Sequence, residues 1–321
     1  MLRRRAGTVF LIFAALLLAW MPRAGATAPG RDGRIAFVND SGSGHFQLYT
    51  VRPDGSGLRK LTSLPNGRNA FFPDWAPDGS RLAFTIATSS EAQIWTIKAD
   101  GSGLRQITHG SQWISVTPRW SPDGRRIVLA RSKPGGFCGD EITTFDFCHI
   151  WVMNADGSNA RQLTNNPRFS DFDPEWSPDG RQIAFDSTRG GRFSRLWVMN
   201  ADGTSAHAIS PPNLQVGWPT WAPDGRHIAA FTNIDNPVAP SWLVVLRPDG
   251  SDLRLLTGPA KGVADVFPSW SPAGDRIAFA RLAGNNGQGE VWTVKSDGTN
   301  AKPVTSGPHD NASFLDWGPA A

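Results

Sequence analysis

The chain has 321 residues, of which 40% are hydrophobic, and a formal net charge of +4. Fourteen tryptophans occur beside a single tyrosine, together with 34 glycines and 25 prolines. So many turn residues and large aromatic residues favour many short strands over helices. The net charge comes entirely from Arg3, Arg4, Arg5 and Arg23, because the other residues hold 28 basic and 28 acidic side chains. This balance gives no indication of nucleic acid or an anionic membrane as a partner.

Residues 1–26 have the pattern of a cleavable secretion signal. Three arginines precede an apolar run from Ala6 to Trp20, and Ala24-Gly25-Ala26 fits the small-x-small rule for signal peptidase. The apolar run is short for a membrane span. We therefore expect export to the periplasm or the medium, cleavage after Ala26 and no stable membrane insertion afterwards. A retained N-terminal anchor is the alternative.

Two motifs repeat along the rest of the chain. The first is Pro-x-Trp-Ser/Ala-Pro-Asp-Gly followed by a short apolar strand, and its last copy is truncated at the C-terminus. Its tryptophans, called the blade tryptophans below, are Trp75, Trp120, Trp176, Trp221, Trp270 and Trp317. The second motif is an apolar strand, an Asp-Gly turn and a strand that ends in Leu/Ile-Thr, as in residues 150–164. We interpret the Asp-Gly pairs as turns and not as half of a calcium loop, because no further acids follow the glycine.

Each repeat contains four segments that are typical of strands. In the third repeat they cover residues 171–176, 182–186, 196–200 and 206–210, and we label them A to D. The Pro-Asp-Gly turn joins A to B, and the Asp-Gly turn joins C to D. Four strands in a repeat of 45 to 56 residues predict the blades of a β-propeller.

The two ends of the repeat region are complementary. The first repeat-like segment, residues 33–37, is a strand B with no strand A before it. The last, residues 315–317, is a strand A with no strand B after it. We therefore predict an all-β fold, a six-bladed propeller over residues 31–319. Its ring would be closed by a C-terminal strand A that joins N-terminal strands B to D.

The Trp-Ser-Pro-Asp-Gly-x-x-Ile-Ala-Phe run of these repeats resembles the TolB-like propeller family over residues 31–319. The resemblance implies a six-bladed propeller and an envelope setting, since TolB belongs to the periplasmic Tol–Pal system. TolB also has a small α/β domain before its propeller, through which it reaches inner-membrane partners. We expect this chain to lack that domain, because few residues separate Ala26 from the first strand. The same repeat occurs in peptidase and lyase propellers, so it implies architecture more than activity.

Two acids are candidates for a site at the channel mouth. Asp171 and Asp265 each lie five residues before a blade tryptophan, on the face that carries the variable B–C and D–A loops. They could bind a cation or act as general acid and base, or they could simply cap loop amides. His109 and His309 lie in loops between blades, and the sequence leaves a metal site open. We expect no cofactor.

The only two cysteines, Cys138 and Cys148, are expected to form a disulfide, because export favours oxidation. They belong to an insertion of about ten residues in the repeat whose tryptophan spacing is 56. Phe137, Asp140 and Glu141 lie in this insertion and are candidate ligand-binding residues. The insertion is either a preorganised recognition loop or an ornament that folds back onto its blade.

Two functions are compatible with the sequence. The first is a non-catalytic, monomeric binding module whose partner is another envelope protein or an extracellular ligand. The alternative is an extracytoplasmic lyase or hydrolase that acts on a glycan or peptide at the channel mouth. The sequence contains no Gly-x-Ser-x-Gly, His-Glu-x-x-His or phosphate-binding glycine motif, so the binding module is favoured.

Overall fold

The computed structural model describes residues 30–41, 43–134, 147–189, 193–232, 241–258, 263–283, 288–306 and 311–320. Within these ranges the regular elements are 24 β-strands. They form six sheets of four antiparallel strands each, and every sheet is one blade. No helix in the described ranges is long and apolar enough to cross a bilayer.

The blades are numbered in chain order, and their strands are given in the order A to D. Blade 1 holds β4 (Asn69–Trp75), β5 (Arg81–Ala87), β6 (Ala92–Lys98) and β7 (Arg105–Gln106). Blade 2 holds β8 (Ile114–Trp120), β9 (Arg126–Ser132), β10 (His149–Asn154) and β11 (Arg161–Gln162). Blade 3 holds β12 (Asp171–Trp176), β13 (Gln182–Ser187), β14 (Arg195–Asn200) and β15 (His207–Ala208).

The remaining blades repeat this order. Blade 4 holds β16 (Val216–Trp221), β17 (Ile228–Thr232), β18 (Leu243–Leu246) and β19 (Arg254–Leu255). Blade 5 holds β20 (Val263–Trp270), β21 (Arg276–Ala283), β22 (Gln288–Lys295) and β23 (Lys302–Pro303). Blade 6 combines β24 (Ser313–Pro319) from the C-terminus with β1 (Asp32–Asn39), β2 (Gln47–Val51) and β3 (Arg59–Lys60) from the N-terminus.

The predicted ring closure is confirmed in blade 6. Strand β24 pairs antiparallel with β1, with Trp317 opposite Ile35 and Asp316 opposite Ala36. The two ends of the repeat region therefore share one sheet, and the six-bladed, all-β prediction is confirmed. Closure leaves no open blade edge at the seam of the ring.

Strand D is shorter than the sequence predicts. The predicted segment 206–210 contains only the two-residue strand β15. Its pairing ends early because Ser210 Oγ, 3.0 Å away, accepts the hydrogen bond of Leu196 N in strand C. In blade 2 the threonine of the Leu/Ile-Thr motif ends the pairing in the same way, because Thr164 Oγ1 accepts the hydrogen bond of Ile150 N at 3.0 Å. The hydroxyl at the end of each repeat thus replaces a ladder bond on the outer edge of the blade.

The blade tryptophans pack between neighbouring blades. All six are at most 5% exposed. Trp75 lies directly on Gly318 of blade 6, where a Cβ atom would fall 2.3 Å from the indole Cγ. Trp120 shares a buried cluster with Ala76 of blade 1. Truncating such a side chain to alanine typically costs about 3–5 kcal/mol, so these residues are a main source of cohesion between blades.

The Asp-Gly segments are turns, as their sequence indicates. Asp156 Oδ1 accepts hydrogen bonds from Ser158 N at 2.9 Å and from Ser158 Oγ at 2.7 Å. Gly157 has a φ of 93° and lies against blade 1, where a Cβ would fall 1.8 Å from the carbonyl oxygen of Ile107. Glycine is required here for both reasons.

The A–B and C–D turns form one face of the propeller, called the turn face. The B–C and D–A connections form the opposite face, called the loop face.

Candidate functional site in the central channel

The six A strands surround the channel, and each contains the same backbone irregularity. A register shift interrupts the pairing of strands A and B just before each blade tryptophan. Three residues before that tryptophan, the chain has a positive φ between 46° and 59°. The six residues in this position, called the bulge ring, are Phe72, Thr117, Asp173, Trp218, Phe267 and Phe314. A bulge in all six blades redirects one side chain per blade, which is a common role of bulges near functional sites.

Four aromatic members of the bulge ring meet at the axis. The ring centroids of Phe267 and Phe314 are 4.4 Å apart, and those of Phe72 and Phe314 are 4.6 Å apart. Trp218 lies 4.9 Å from Phe267 and 5.6 Å from Phe72. Phe72 and Trp218 belong to opposite blades, so their contact lies on the axis. These four side chains, called the aromatic cluster, therefore fill the channel at this level.

A second ring lies one position before each blade tryptophan, toward the turn face. This polar ring consists of Asp74, Arg119, Glu175, Thr220, Ser269 and Asp316. Arg119 Nε donates to Glu175 Oε2 at 2.8 Å and lies 3.9 Å from Asp74 Oδ1. Asp74, Arg119 and Glu175 are each less than 9% exposed. One guanidinium thus lies beside two carboxyl groups in a buried part of the channel.

The polar ring also connects the blades through the backbone. Asp74 Oδ2 accepts a hydrogen bond from Trp120 N at 2.6 Å, and Asp316 Oδ2 accepts one from Trp75 N at 2.8 Å. In blade 5, Ser269 Oγ plays the same part and accepts from Trp317 N at 2.9 Å. In each case the acceptor belongs to one blade and the amide to the next. These side chains therefore have a structural role whatever else they do.

Burial changes the acidity of this ring. Desolvation raises the pKa of Glu175 to about 8 and raises the pKa of Asp316. Desolvation, reinforced by the charge of Asp316, raises the pKa of Asp74 well above its usual value. Burial opposes the charge of Arg119, but the carboxyls of Glu175 and Asp74 outweigh it and raise the pKa of the guanidinium. Glu175 consequently holds a proton at neutral pH.

The aromatic cluster is accessible from the loop face. Phe72, Phe267 and Phe314 are partly exposed, whereas most of the polar ring beneath them is buried. Phe71 is also partly exposed and lies 5.9 Å from Phe314. Asp173, the acidic member of the bulge ring, is partly exposed as well. These five residues, called the channel cup, offer aromatic surface at the loop face, which suits an apolar group.

The two predicted acids are both in ion pairs. Asp171 is fully buried and accepts hydrogen bonds from Ser187 Oγ at 2.7 Å and from Arg189 Nη2 at 2.5 Å. Asp265 forms a bidentate pair with Arg281 at 2.7 and 2.8 Å. The acids belong to blades 3 and 5, and each has its own arginine. A ligand-binding role for either one stays a prediction.

The remaining predicted residues lie mostly outside the described ranges. These are Phe137, Cys138, Asp140, Glu141 and His309. Cys148 is fully buried and packs in a small cluster with Ala130 and Phe172. The disulfide with Cys138 stays a prediction. In the part of the chain that the structure covers, no three metal-binding side chains converge.

The TolB beta propeller domain matches residues 141–321, which is more than half of the chain. This chain belongs to the TolB β-propeller family. A TolB homologue of Chlorobium luteolum is 29% identical over 157 residues, which are 49% of this chain and 32% of that protein. An uncharacterized peptidase, YuxL, of Bacillus subtilis is 30% identical over 117 residues, which are 35% of this chain and 16% of that protein.

The solved structures agree on the fold. TolB from Acinetobacter baumannii superposes with a TM-score of 0.71 at 18% identity, covering 89% of this TolB-family chain and 67% of that chain. The chain matches about a third or less of the length of the two curated relatives named above. The family match therefore establishes the propeller and the resemblance to TolB, and it leaves the activity to be argued from the site.

Proposed function

We propose that this TolB-family propeller is an exported, non-catalytic binding module of the cell envelope. Its ligand is a segment of another envelope protein or an extracellular ligand, and it binds at the loop face in the channel cup. The proposal agrees with the similarity to TolB homologues, which include a Tol-Pal system protein of Zymomonas mobilis that is 43% identical over 75 residues. It also agrees with the secretion signal that the sequence predicts for residues 1–26, which lie outside the described ranges.

The aromatic cluster is the observation that carries this proposal. Four rings from four blades close the channel, so a ligand that enters from the loop face meets an aromatic floor. Aromatic residues give large contact area at low conformational cost and are typical anchors of protein interfaces. The rigid six-fold scaffold holds them in position before binding, which lowers the entropy cost of association.

A lyase or hydrolase remains the second candidate, because ionisable groups with raised pKa values often mark active sites. Glu175 and Asp74 are such groups. They are only 6% and 5% exposed, however, and they lie on the far side of the aromatic cluster from the loop face. A substrate at the loop face would not reach them without displacing the cluster, so we favour the binding module.

Binding of envelope proteins to the purified exported chain tests the proposal. The chain is immobilised and incubated with envelope extract, and Phe71→Ser is compared with Leu104→Ser. Leu104 is 43% exposed near a C–D turn, away from the cup, so it serves as the control. We expect the retained partner to be lost with Phe71→Ser and kept with Leu104→Ser. Equal retention by both variants would contradict binding in the channel cup.

Export is tested separately by mass spectrometry of the protein recovered outside the cytoplasm. We expect a mature chain that begins at residue 27. A species that begins at Met1 would contradict cleavage after Ala26.

A further inference from the structure

Three blades place an arginine over the tryptophan of strand C, near the loop face. The distances from the guanidinium carbon to the ring centroid are 5.3 Å for Arg131 and Trp151, 5.2 Å for Arg189 and Trp197, and 4.4 Å for Arg281 and Trp292. A guanidinium over an indole is a favourable cation–π arrangement. The N–H groups of the guanidinium still need hydrogen-bond acceptors, and the three blades provide different acceptors.

Blade 5 supplies two carboxylates. Asp265, opposite Arg281 on strand A, accepts both donors of a bidentate pair at 2.7 and 2.8 Å. Glu290, opposite Arg281 on strand C, accepts the indole N–H of Trp292 at 2.9 Å. The arginine and the tryptophan of this blade are therefore both satisfied by acids of the chain.

Blade 2 has the same arrangement without the acids. Ser115 lies opposite Arg131 on strand A, and His149 lies opposite it on strand C, so they take the register positions of Asp265 and Glu290. Arg131 Nε donates to Ser115 Oγ at 3.0 Å, and Arg131 makes no ion pair with any described residue. Trp151 Nε1 and His149 Nδ1 are buried and have no hydrogen-bond partner among the described residues.

Arg131 is thus a buried cation without an ion-pair partner in the part of the chain that the structure describes. The residue is 8% exposed, and burial lowers the pKa of its guanidinium. An unpaired buried charge is costly, and so is a buried N–H group without an acceptor. A carboxylate would relieve the cost of the unpaired charge, because it matches the guanidinium fork.

We propose that Arg131, Ser115 and Trp151 form a binding site for a carboxylate group of a ligand. The ligand carboxylate takes the place that the Asp265 carboxylate fills in blade 5. Trp113 packs on Trp151 with ring centroids 5.1 Å apart and is partly exposed, so it provides an apolar wall for the body of the ligand. The site lies on blade 2 and is separate from the channel cup, so it adds a second binding function to the proposed one.

Titration of the full chain with benzoate at constant ionic strength tests this site. Binding is followed by calorimetry and by the NMR signals of the indole N–H groups. We expect saturable binding that shifts one indole signal, and we expect Arg131→Gln to weaken it roughly ten- to hundredfold. Arg125→Gln, at an exposed arginine of the turn face, is the control and leaves the affinity unchanged.

Ser115→Asp is the decisive variant, because it builds the carboxylate of blade 5 into blade 2. We expect this variant to abolish benzoate binding and to raise the melting temperature of the protein. Ser115→Asp tests the site even if Arg131→Gln does not fold, because it leaves Arg131 in place. The proposal is overturned if the natural chain does not bind benzoate, if inorganic phosphate binds as tightly as benzoate, or if Ser115→Asp still binds.

Discussion

Arg119 Nε lies 2.8 Å from Glu175 Oε2, and this ion pair joins blades 2 and 3 inside the channel. The guanidinium carbon of Arg119 lies 5.8 Å from the ring centroid of Trp218 in blade 4. Arg119 therefore connects the polar ring to the aromatic cluster that forms the floor of the channel cup.

Replacing Arg119 by methionine should strongly destabilise the protein. The substitution leaves Asp74, Glu175 and Asp316 in the channel with no cation. Removing one partner of a buried ion pair costs about 3–5 kcal/mol, because the remaining carboxyl groups must then stay buried as charges or take up protons. Arg181→Met is the matched control, since Arg181 is 78% exposed and lies 3.9 Å from Asp179. Chemical denaturation measures both variants, and equal stabilities would contradict the role of Arg119.

The stability of the protein should fall as the pH rises from about 5 to about 8. The pKa of Glu175 is raised to about 8 in the folded state, whereas an unfolded glutamate has a pKa of about 4.3. Between these values the folded protein keeps a proton that the unfolded chain has released, so raising the pH favours unfolding. Glu175→Gln carries no titratable proton there and should show a smaller decline.

Melting temperatures across this pH range measure that decline. Glu91→Gln, at an exposed position of the B–C connection of blade 1, is the control and should keep the slope of the natural chain. If Glu175→Gln and the natural chain gave the same slope, Glu175 would not hold the proton.

Gly318→Ala should weaken the seam of the ring. A Cβ at Gly318 would lie 2.3 Å from Cγ and 2.5 Å from Cδ1 of Trp75, so blades 6 and 1 would have to separate. Overpacking of this kind typically costs about 1–3 kcal/mol. Gly258→Ala is the control, because a Cβ there meets nothing within 4 Å. The melting temperatures of the two variants are compared. Gly318→Ala should melt at a clearly lower temperature than Gly258→Ala, and equal values would argue against close packing at the seam.

We expect Cys138 and Cys148 to be oxidised in protein recovered from outside the cytoplasm. They are the only cysteines, and Cys148 is fully buried at the start of strand C. An oxidising compartment would make such a pair a permanent crosslink. Thiol titration under denaturing, non-reducing conditions should find no free thiol, and two free thiols per chain would disprove the pairing.

The fold was predictable from the sequence because each repeat carries its own turn chemistry. The blade tryptophans, the Pro-Asp-Gly turns and the half-repeats at residues 33–37 and 315–317 define the blade count and the closure. The length of strand D was not predictable, because a hydroxyl such as that of Ser210 ends the pairing early.

The site was predictable only in part. Asp171 and Asp265 were identified as acids near a blade tryptophan, but their arginines come from strand B and the B–C connection. The aromatic cluster was missed, because residues as different as Thr117 and Trp218 occupy the same bulge position. Aligning the six repeats at that position and at the position of Arg119 would have revealed both rings, although not which side chains touch across the axis.

Crosslinking in living cells tests the central claim, that the channel cup binds an envelope partner. A photoreactive phenylalanine analogue replaces Phe71 in the cup and, in a second strain, Leu104 away from it. We predict a discrete crosslinked product with an envelope protein from position 71 and none from position 104. A product from position 104 alone, or the same product from both positions, would contradict the account.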